Sequence, residues 1–298
     1  MSDFRLKVFQ SVAKNLSFTK ASQELFVSQP AITKHIQELE AAYQTRLFDR
    51  QGSRISLTEA GRLLLEHCER ILEDYKRLEY EMHLLHNEYT GGLKLGASTT
   101  VAQYVLPPLL ASFIGKFPHV NLSLLNGNSR EIEAALQEHR IDLGFVEGVF
   151  RLPNIKYTTF LKDELVAVVR TGSKLAIGEE ITPEELLHLP LVLRERGSGT
   201  LDVFERALQQ HNIKLSSLQV LMYLGSTESI KLFLEHTDCL GIVSIRSITR
   251  ELYSGQLRVV EIKDMPMLRD FSFAQPQGQE SGLAQVFMQF AMHYNNKL

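Results

Sequence analysis

With 298 residues, 44% hydrophobic and 22% charged side chains and a formal net charge of −3, the chain has the balance of a globular protein of two or three domains. That excludes a mainly disordered chain, a fibrous repeat and a membrane-spanning protein, since no apolar run approaches the ~20 residues a bilayer requires. Two cysteines, Cys68 and Cys239, cannot build a disulfide framework, and MSDFRLKVFQ lacks a basic segment followed by an apolar one, so a cytoplasmic location is expected. Charge is unevenly spread: residues 1–60 hold eight Lys/Arg against six Asp/Glu, and the rest hold 24 against 29. Any polyanion contact belongs at the front of the chain.

Phe9, Val12, Ala13 and Leu16 share one face of a first helix, and after a Ser17 N-cap, Phe18, Ala21 and Leu25 line a second. Past the short break Phe26-Val27, Ser28 caps a third helix that tolerates Pro30 in its first turn, with Ile32, Ile36, Leu39 and Tyr43 facing inward. Its outer face carries Gln29, Thr33, Lys34 and Gln37. Two short helices joined by a tight turn, the second with a polar face, describe a helix-turn-helix, whose second helix meets base edges in the major groove. Glutamine can pair with adenine, threonine can touch a thymine methyl, and lysine can reach guanine or phosphate. A three-helix bundle with a solvated polar face would show the same periodicity. Leu47–Arg50 and Arg54–Leu57 then flank Gln51-Gly52-Ser53 as a small hairpin, a wing that sets Arg50 and Arg54 beside its tip for phosphate contact.

FTKASQELFVSQPAITKHIQELE followed by LFDRQGSRISLTEAG closely resembles the N-terminal domain of LysR-type transcriptional regulators over roughly residues 4–65. By that resemblance Gln29, Pro30, Thr33 and Lys34 are the recognition-helix contacts and Arg50 and Arg54 the wing contacts; Gln37, on the same polar face, is a further candidate DNA contact. Thr33 and Lys34 stand where the family often has Ser and Arg.

From residue 58 to about 89 there is no proline, and Leu64, Cys68, Ile71, Tyr75, Leu78, Met82, Leu85 and Tyr89 alternate at spacings of 4 and 3. This heptad seam spans about 38 Å and needs a partner helix, most simply that of a second copy. A dimer also supplies two reading heads for half-sites about 34–36 Å apart or a multiple of that. Cys68, on the seam, reads as a small hydrophobe, and Thr90-Gly91-Gly92 as the end of the helix and a flexible joint.

After the glycines, short apolar strands at 93–97, 120–125, 141–146, 165–169, 191–193, 220–223 and 240–244 alternate with helical stretches, which indicates parallel sheets covered by helices. The expected organisation is α+β multidomain: a winged helix-turn-helix (1–58), a linker helix (59–89), a hinge (90–92) and an effector-binding domain (93–298). The last divides into subdomain I, about 93–162 and 267–298, and subdomain II, about 163–266. This resembles the periplasmic-binding-protein-like effector domain of the same family, and the resemblance further implies a homotetramer built through effector-domain contacts.

In such sheets ligands sit at the carboxyl ends of strands, often against helix N-termini. Four junctions qualify: Ser98-Thr99-Thr100, Asn126-Gly127-Asn128-Ser129, Arg194-Glu195-Arg196-Gly197-Ser198-Gly199-Thr200 and Gly225-Ser226-Thr227. Their hydroxyls, amides and arginine suit a small anionic metabolite, with Thr100, Arg196, Ser198 and Thr200 in contact and Ser98, Thr99, Asn128, Glu147 and Thr227 around the same cleft. RERGSGT is, by resemblance, common in regulators of sulfur or carbon metabolism. Taken singly, Ser98 and Thr227 read as helix caps, and Arg194, alternating with Arg196, points to solvent. Asp163-Glu164 and Glu179-Glu180 read as solvated turns. No HExxH or CxxC spacing supports a metal, so no cofactor is expected. The expected partners are duplex DNA, a second copy of the chain and the metabolite, with no membrane. A solute-binding protein of the same C-terminal architecture would leave residues 1–60 without a role. An enzyme using GSGT as a phosphate loop would have Glu147 alone as acid or base, so no enzymatic activity is expected.

Overall fold

The computed structural model describes residues 4–51, 54–86, 89–175, 178, 180–277 and 282–295; Gly52 and the side chains of Arg50, Arg54 and Leu85 lie outside the described part. Two compact units, Met1–Glu88 and Tyr89–Leu298, divide the chain.

In the first unit, helices α1 (Phe4–Asn15), α2 (Phe18–Leu25) and α3 (Gln29–Tyr43) precede a hairpin of β1 (Phe48–Gln51) and β2 (Arg54–Leu57) and the helix α4 (Glu59–His86). Val8, Phe9 and Val12 of α1, Phe18 and Ala21 of α2, and Ile32, Ile36 and Leu39 of α3 are buried together with Leu47 and Phe48. Each of the larger side chains, Ala21 excepted, contributes about 1.5–3 kcal/mol. Ser17 caps α2 by accepting from the Lys20 N–H at 3.2 Å, a bond that typically contributes ~1 kcal/mol. Ser28 occupies the cap position of α3 through its backbone alone: its carbonyl accepts from Ala31 and Ile32, and its hydroxyl makes no cap bond.

Two expected core positions are exposed. Leu16 lies past the end of α1 with φ 45°, because the Asn15 amide ties back to Ser11 and Glu24 and stops the helix. Tyr43 sits at the last residue of α3 and is exposed. Entry to α4 is fixed by Thr58, whose hydroxyl donates to the Arg46 carbonyl and accepts from Gly61 N–H. Gly61 is required there: a Cβ would lie 2.2 Å from the Leu47 carbonyl oxygen.

The second unit is a single ten-stranded mixed sheet. Strands β3 (Gly91–Ser98), β4 (Val120–Gly127) and β5 (Leu143–Glu147) are parallel, with helices α5 (Thr99–Tyr104), α6 (Leu106–Lys116) and α7 (Ser129–Gln137) between them. On the other side β8 (Pro190–Arg194), β9 (Gln219–Leu224) and β10 (Leu240–Ser244) are parallel, carrying α8 (Gly199–Gln210), α9 (Thr227–His236) and α10 (Thr249–Ser254). Two long strands, β6 (Ile155–Arg170) and β12 (Met267–Pro276), run antiparallel to each other and join the halves. β11 (Leu257–Ile262) pairs with the end of β6 and with the two-residue β7 (Glu180–Ile181), and α11 (Leu283–Asn295) closes the chain.

The antiparallel crossover departs from the all-parallel expectation. β6 carries Lys156, Lys162, Asp163 and Glu164 among its apolar residues instead of showing the continuous apolar run of a buried parallel strand. Gly91 and Gly92 likewise are already strand: they pair with Val120 and Asn121, and Gly91 N–H bonds the His119 carbonyl, so they form no free joint.

Candidate nucleic-acid interface and ligand site

The polar face of α3 stands clear of its own unit. Gln29, Pro30, Lys34 and Gln37 are exposed and Thr33 half-buried, while the opposite face is sealed in the core. Thr33 turns its hydroxyl back onto the Gln29 carbonyl at 3.1 Å, and Thr19 of α2 reaches the Gln29 side-chain oxygen at 3.4 Å. The turn before α3 is held by Phe26 in the left-handed region with its N–H on Gln23 and Ser22 carbonyls, and its ring is 94% exposed. A helix that offers amide, hydroxyl and ammonium groups from its first two turns, with no apolar wall around them, can present them to base edges and phosphates.

Along α4 the seam divides. Cys68 is fully buried against α1 of its own chain, its thiol on the Leu6 carbonyl at 3.3 Å, and burial pushes its pKa up to about 11. Leu64 packs beside it on the same core. Both are therefore internal contacts and not part of a seam open to a partner helix. Further along, Ile71, Leu78 and Met82 are exposed and Tyr75 half-buried, an apolar stripe on α4.

In the second unit the four junctions converge. Thr99 donates to the Gly127 carbonyl at 3.2 Å; Arg130 N–H reaches Gly197 at 3.3 Å; Ser129 Oγ donates to the Glu147 carbonyl at 2.8 Å. The close approach is tightest between Gly199 and Glu147, where a Cβ on the glycine would meet the Glu147 carbonyl oxygen at 2.2 Å. Ser198 caps α8 by accepting from Leu201 N–H, and Asn128 forms a capping box with Glu131 on α7. Capping at α9 falls to Ser226, and buried Thr227 follows it as the first helical residue. Ser98 occupies the cap position of α5, but its hydroxyl makes no cap bond.

The two arginines of the RERGSGT stretch alternate, but in the opposite phase from the one expected. Arg194 is 1% exposed and Arg196 is exposed. The reason is at the strand end: Glu195 grips the Arg194 guanidinium at 2.8 and 3.0 Å, while Arg194 Nη2 also donates to Thr99 Oγ1 at 3.3 Å and to the Gly225 carbonyl at 3.3 Å. Arg194 thus spans from α5 on one half of the sheet to the entry of α9 on the other. Its remaining Nη1 and the hydroxyl of Ser98 are both buried without a hydrogen-bond partner. Orphaned buried donors are costly, about 1–3 kcal/mol each.

Glu147 is buried and already engaged. Arg269 Nη2 stands 3.1 Å from Glu147 Oε2, and Thr100 and Thr200 donate to Oε1 at 3.3 and 3.5 Å. Arg269 continues to Asp163 at 2.7 Å and to the Thr200 hydroxyl at 3.0 Å; Asp163 also accepts from Ser244 at 2.7 Å. Asp163 is therefore no solvated turn residue but the inner end of a buried acid–arginine–acid chain on β5, β12 and β6. Sequence reasoning missed it because its partners lie 81 and 106 residues away. Glu180, by contrast, is exposed. Among the described residues no group of three or more His, Cys, Asp or Glu is placed to hold a metal, and no helix is long and apolar enough to cross a membrane.

Residues 4–62 match the family described as bacterial regulatory helix-turn-helix protein, lysR family, and residues 86–295 match the LysR substrate binding domain. A helix-turn-helix transcriptional regulator of Escherichia coli K12, YeiE, described as uncharacterized, is 35% identical over 258 residues, covering 87% of this chain and 85% of that protein. The regulatory domain of CcmR from Synechocystis PCC6803, solved in complex with 2-PG, superposes with a TM-score of 0.64 at 27% identity, covering 70% of this chain and 99% of that one. CrgA of Neisseria meningitidis, a LysR-type regulator, shares the fold over 99% of both chains, with a TM-score of 0.72 at 20% identity.

Proposed function

This chain belongs to the LysR family of transcriptional regulators, and from that premise we propose that it reads duplex DNA through Gln29, Pro30, Thr33, Lys34 and Gln37 as a dimer and senses a small anionic metabolite at Arg194 and Ser98. The observation that carries the ligand assignment is the pair of buried, unpartnered donors, Arg194 Nη1 and Ser98 Oγ, at the meeting of both halves of the sheet. Guanidinium and hydroxyl are the groups that hold a carboxylate, sulfate or phosphate oxygen. Compensation of Arg194 by Glu195 keeps the site tolerable when empty and leaves one N–H pair for the ligand. Thr100, Thr200 and Glu147 support the site by holding Arg269, and exposed Arg196 is left to steer anions toward the cleft. The 2-PG complex of the CcmR regulatory domain supports a small metabolite in the corresponding domain here.

The reading requires a cytoplasmic protein, a second copy and no cofactor beyond the metabolite. It assigns no catalytic step, since Glu147 is committed to Arg269 and Glu195 to Arg194. Ile71, Tyr75, Leu78 and Met82 form the partner-helix seam. Apolar side chains on both outer strands, Leu124 and Leu125 on β4 and Leu221 and Met222 on β9, suit further contacts between effector domains in a tetramer. A thermal-shift screen of anionic sulfur, carbon and amino-acid metabolites tests the site: a binder raises the midpoint of the wild-type chain by mass action, and Arg194→Met abolishes the rise. A binder whose shift survives Arg194→Met overturns the assignment.

A further inference from the structure

A second cluster links the two halves of the sheet a few residues from the ligand junction. Tyr104, the last residue of α5, donates its hydroxyl to Glu228 Oε1 in the first turn of α9. Lys231, one turn further along α9 and only 5% exposed, lies 2.7 Å from Glu228 and 2.8 Å from Glu251 of α10. The same ammonium donates to the Ser247 carbonyl at 3.0 Å and sits 5.2 Å from the centre of the Tyr104 ring. A buried lysine is tolerated only with this degree of compensation, so the four side chains form one unit and not a loose surface pair. Burial opposes ionisation of Glu228, but the bonds from Lys231 and Tyr104 outweigh it and hold its carboxyl below the usual range. Burial and the same bond push the Tyr104 phenol up.

The placement matters more than the strength. α5 is six residues long, Thr99–Tyr104, and its two ends reach the entry of α9, the first through Arg194 and the last directly. Its first residue meets Arg194, which also grips the Gly225 carbonyl; its last grips Glu228 three residues later. The segment Gly225–Glu228 is thus held at one end by Arg194 of β8, itself bonded to Thr99, and at the other directly by Tyr104 from the opposite half of the sheet.

We infer that Tyr104 is a positioning residue for the ligand junction, which, through Glu228 and Lys231, holds the entry of α9 in fixed register with α5 so that Arg194 and the Ser226-Thr227 turn face the ligand together. The inference rests on the reading of that junction as the effector site, but its test does not use a ligand. Hydrogen exchange is followed by mass spectrometry on the full chain, wild type against Tyr104→Phe. Loss of one bond to a carboxylate speeds exchange of the amides at 226–230 about tenfold or more, while β3, β5 and the midpoint of thermal unfolding stay within error. Glu228→Gln, which keeps an acceptor for the Tyr104 hydroxyl, retains most of the protection. Unchanged exchange at 226–230 in Tyr104→Phe overturns the inference. So does a uniform increase across the unit with a lowered midpoint, which is what a merely structural role gives. A failed metabolite screen would leave these outcomes untouched.

Discussion

Replacing Arg269 with methionine keeps much of the side-chain volume and removes a charge that two buried carboxylates depend on. In the native protein the guanidinium is completely buried, 2.7 Å from Asp163, 3.1 Å from Glu147 and 3.0 Å from the Thr200 hydroxyl. Without it, Glu147 keeps only Thr100 and Thr200, and Asp163 only Ser244 and the more distant Arg246 at 3.7 Å. Breaking a buried pair by removing one partner costs about 3–5 kcal/mol, because the remaining charge stays buried and uncompensated. For a unit of this size ~2–4 °C per kcal/mol converts that to a midpoint about 6–20 °C lower. The chain has no tryptophan, so scanning calorimetry of the full protein, following the effector-unit transition, is the suitable assay. Adding Glu147→Gln to Arg269→Met removes one orphaned charge and recovers part of the loss. A fall of less than about 3 °C in the single variant, or no recovery in the double, would refute the account of Arg269 as the charge that holds the crossover together.

Two further expectations concern other parts of the molecule. Lys34→Ala weakens binding to a cognate duplex by about 1–3 kcal/mol if the ammonium reads a base, and by similar amounts on every duplex if it meets only phosphate; equal affinity at all salt concentrations rejects its place on the reading face. Glu133 is buried with the Tyr157 hydroxyl on its carboxylate at 2.6 Å, and burial outweighs that bond and raises its pKa above the ordinary 4.5. Its contribution to stability is therefore complete below that value and is lost as pH rises through the folded-state pKa. Glu133→Gln keeps the acceptor and removes the titration, so the variant gains on the wild type between acidic and neutral pH; parallel midpoint–pH curves contradict the assignment.

The first unit was largely legible because its constraints are local. Ser17 caps within three residues of itself, and Val12, Ile32 and Ile36 repeat at helical spacing onto one core. The same locality explains the errors at its margins: Leu16 continues the spacing of α1 but falls beyond a helix already stopped by Asn15. Cys68 fits the seam by spacing, yet α1, sixty residues earlier, takes it into the core. In the second unit, strand and helix order followed from apolar runs and glycines, but the pairing did not. Alternation placed Arg194 and Arg196 on opposite faces without saying which faced inward; that depends on Glu195, Thr99 and Gly225, only one of them a chain neighbour. The buried Asp163 of β6 looked like a turn residue, because it is neutralised by Arg269, a residue remote in the chain.

The continuous pair β6–β12 has a mechanical consequence. Because the two halves of the effector domain share one ribbon and not a flexible tether, any rotation of one half against the other has to bend or twist β6 and β12. The only slip in its ladder falls between Phe271 and Ser272, two residues from Arg269, so elastic strain would gather there first.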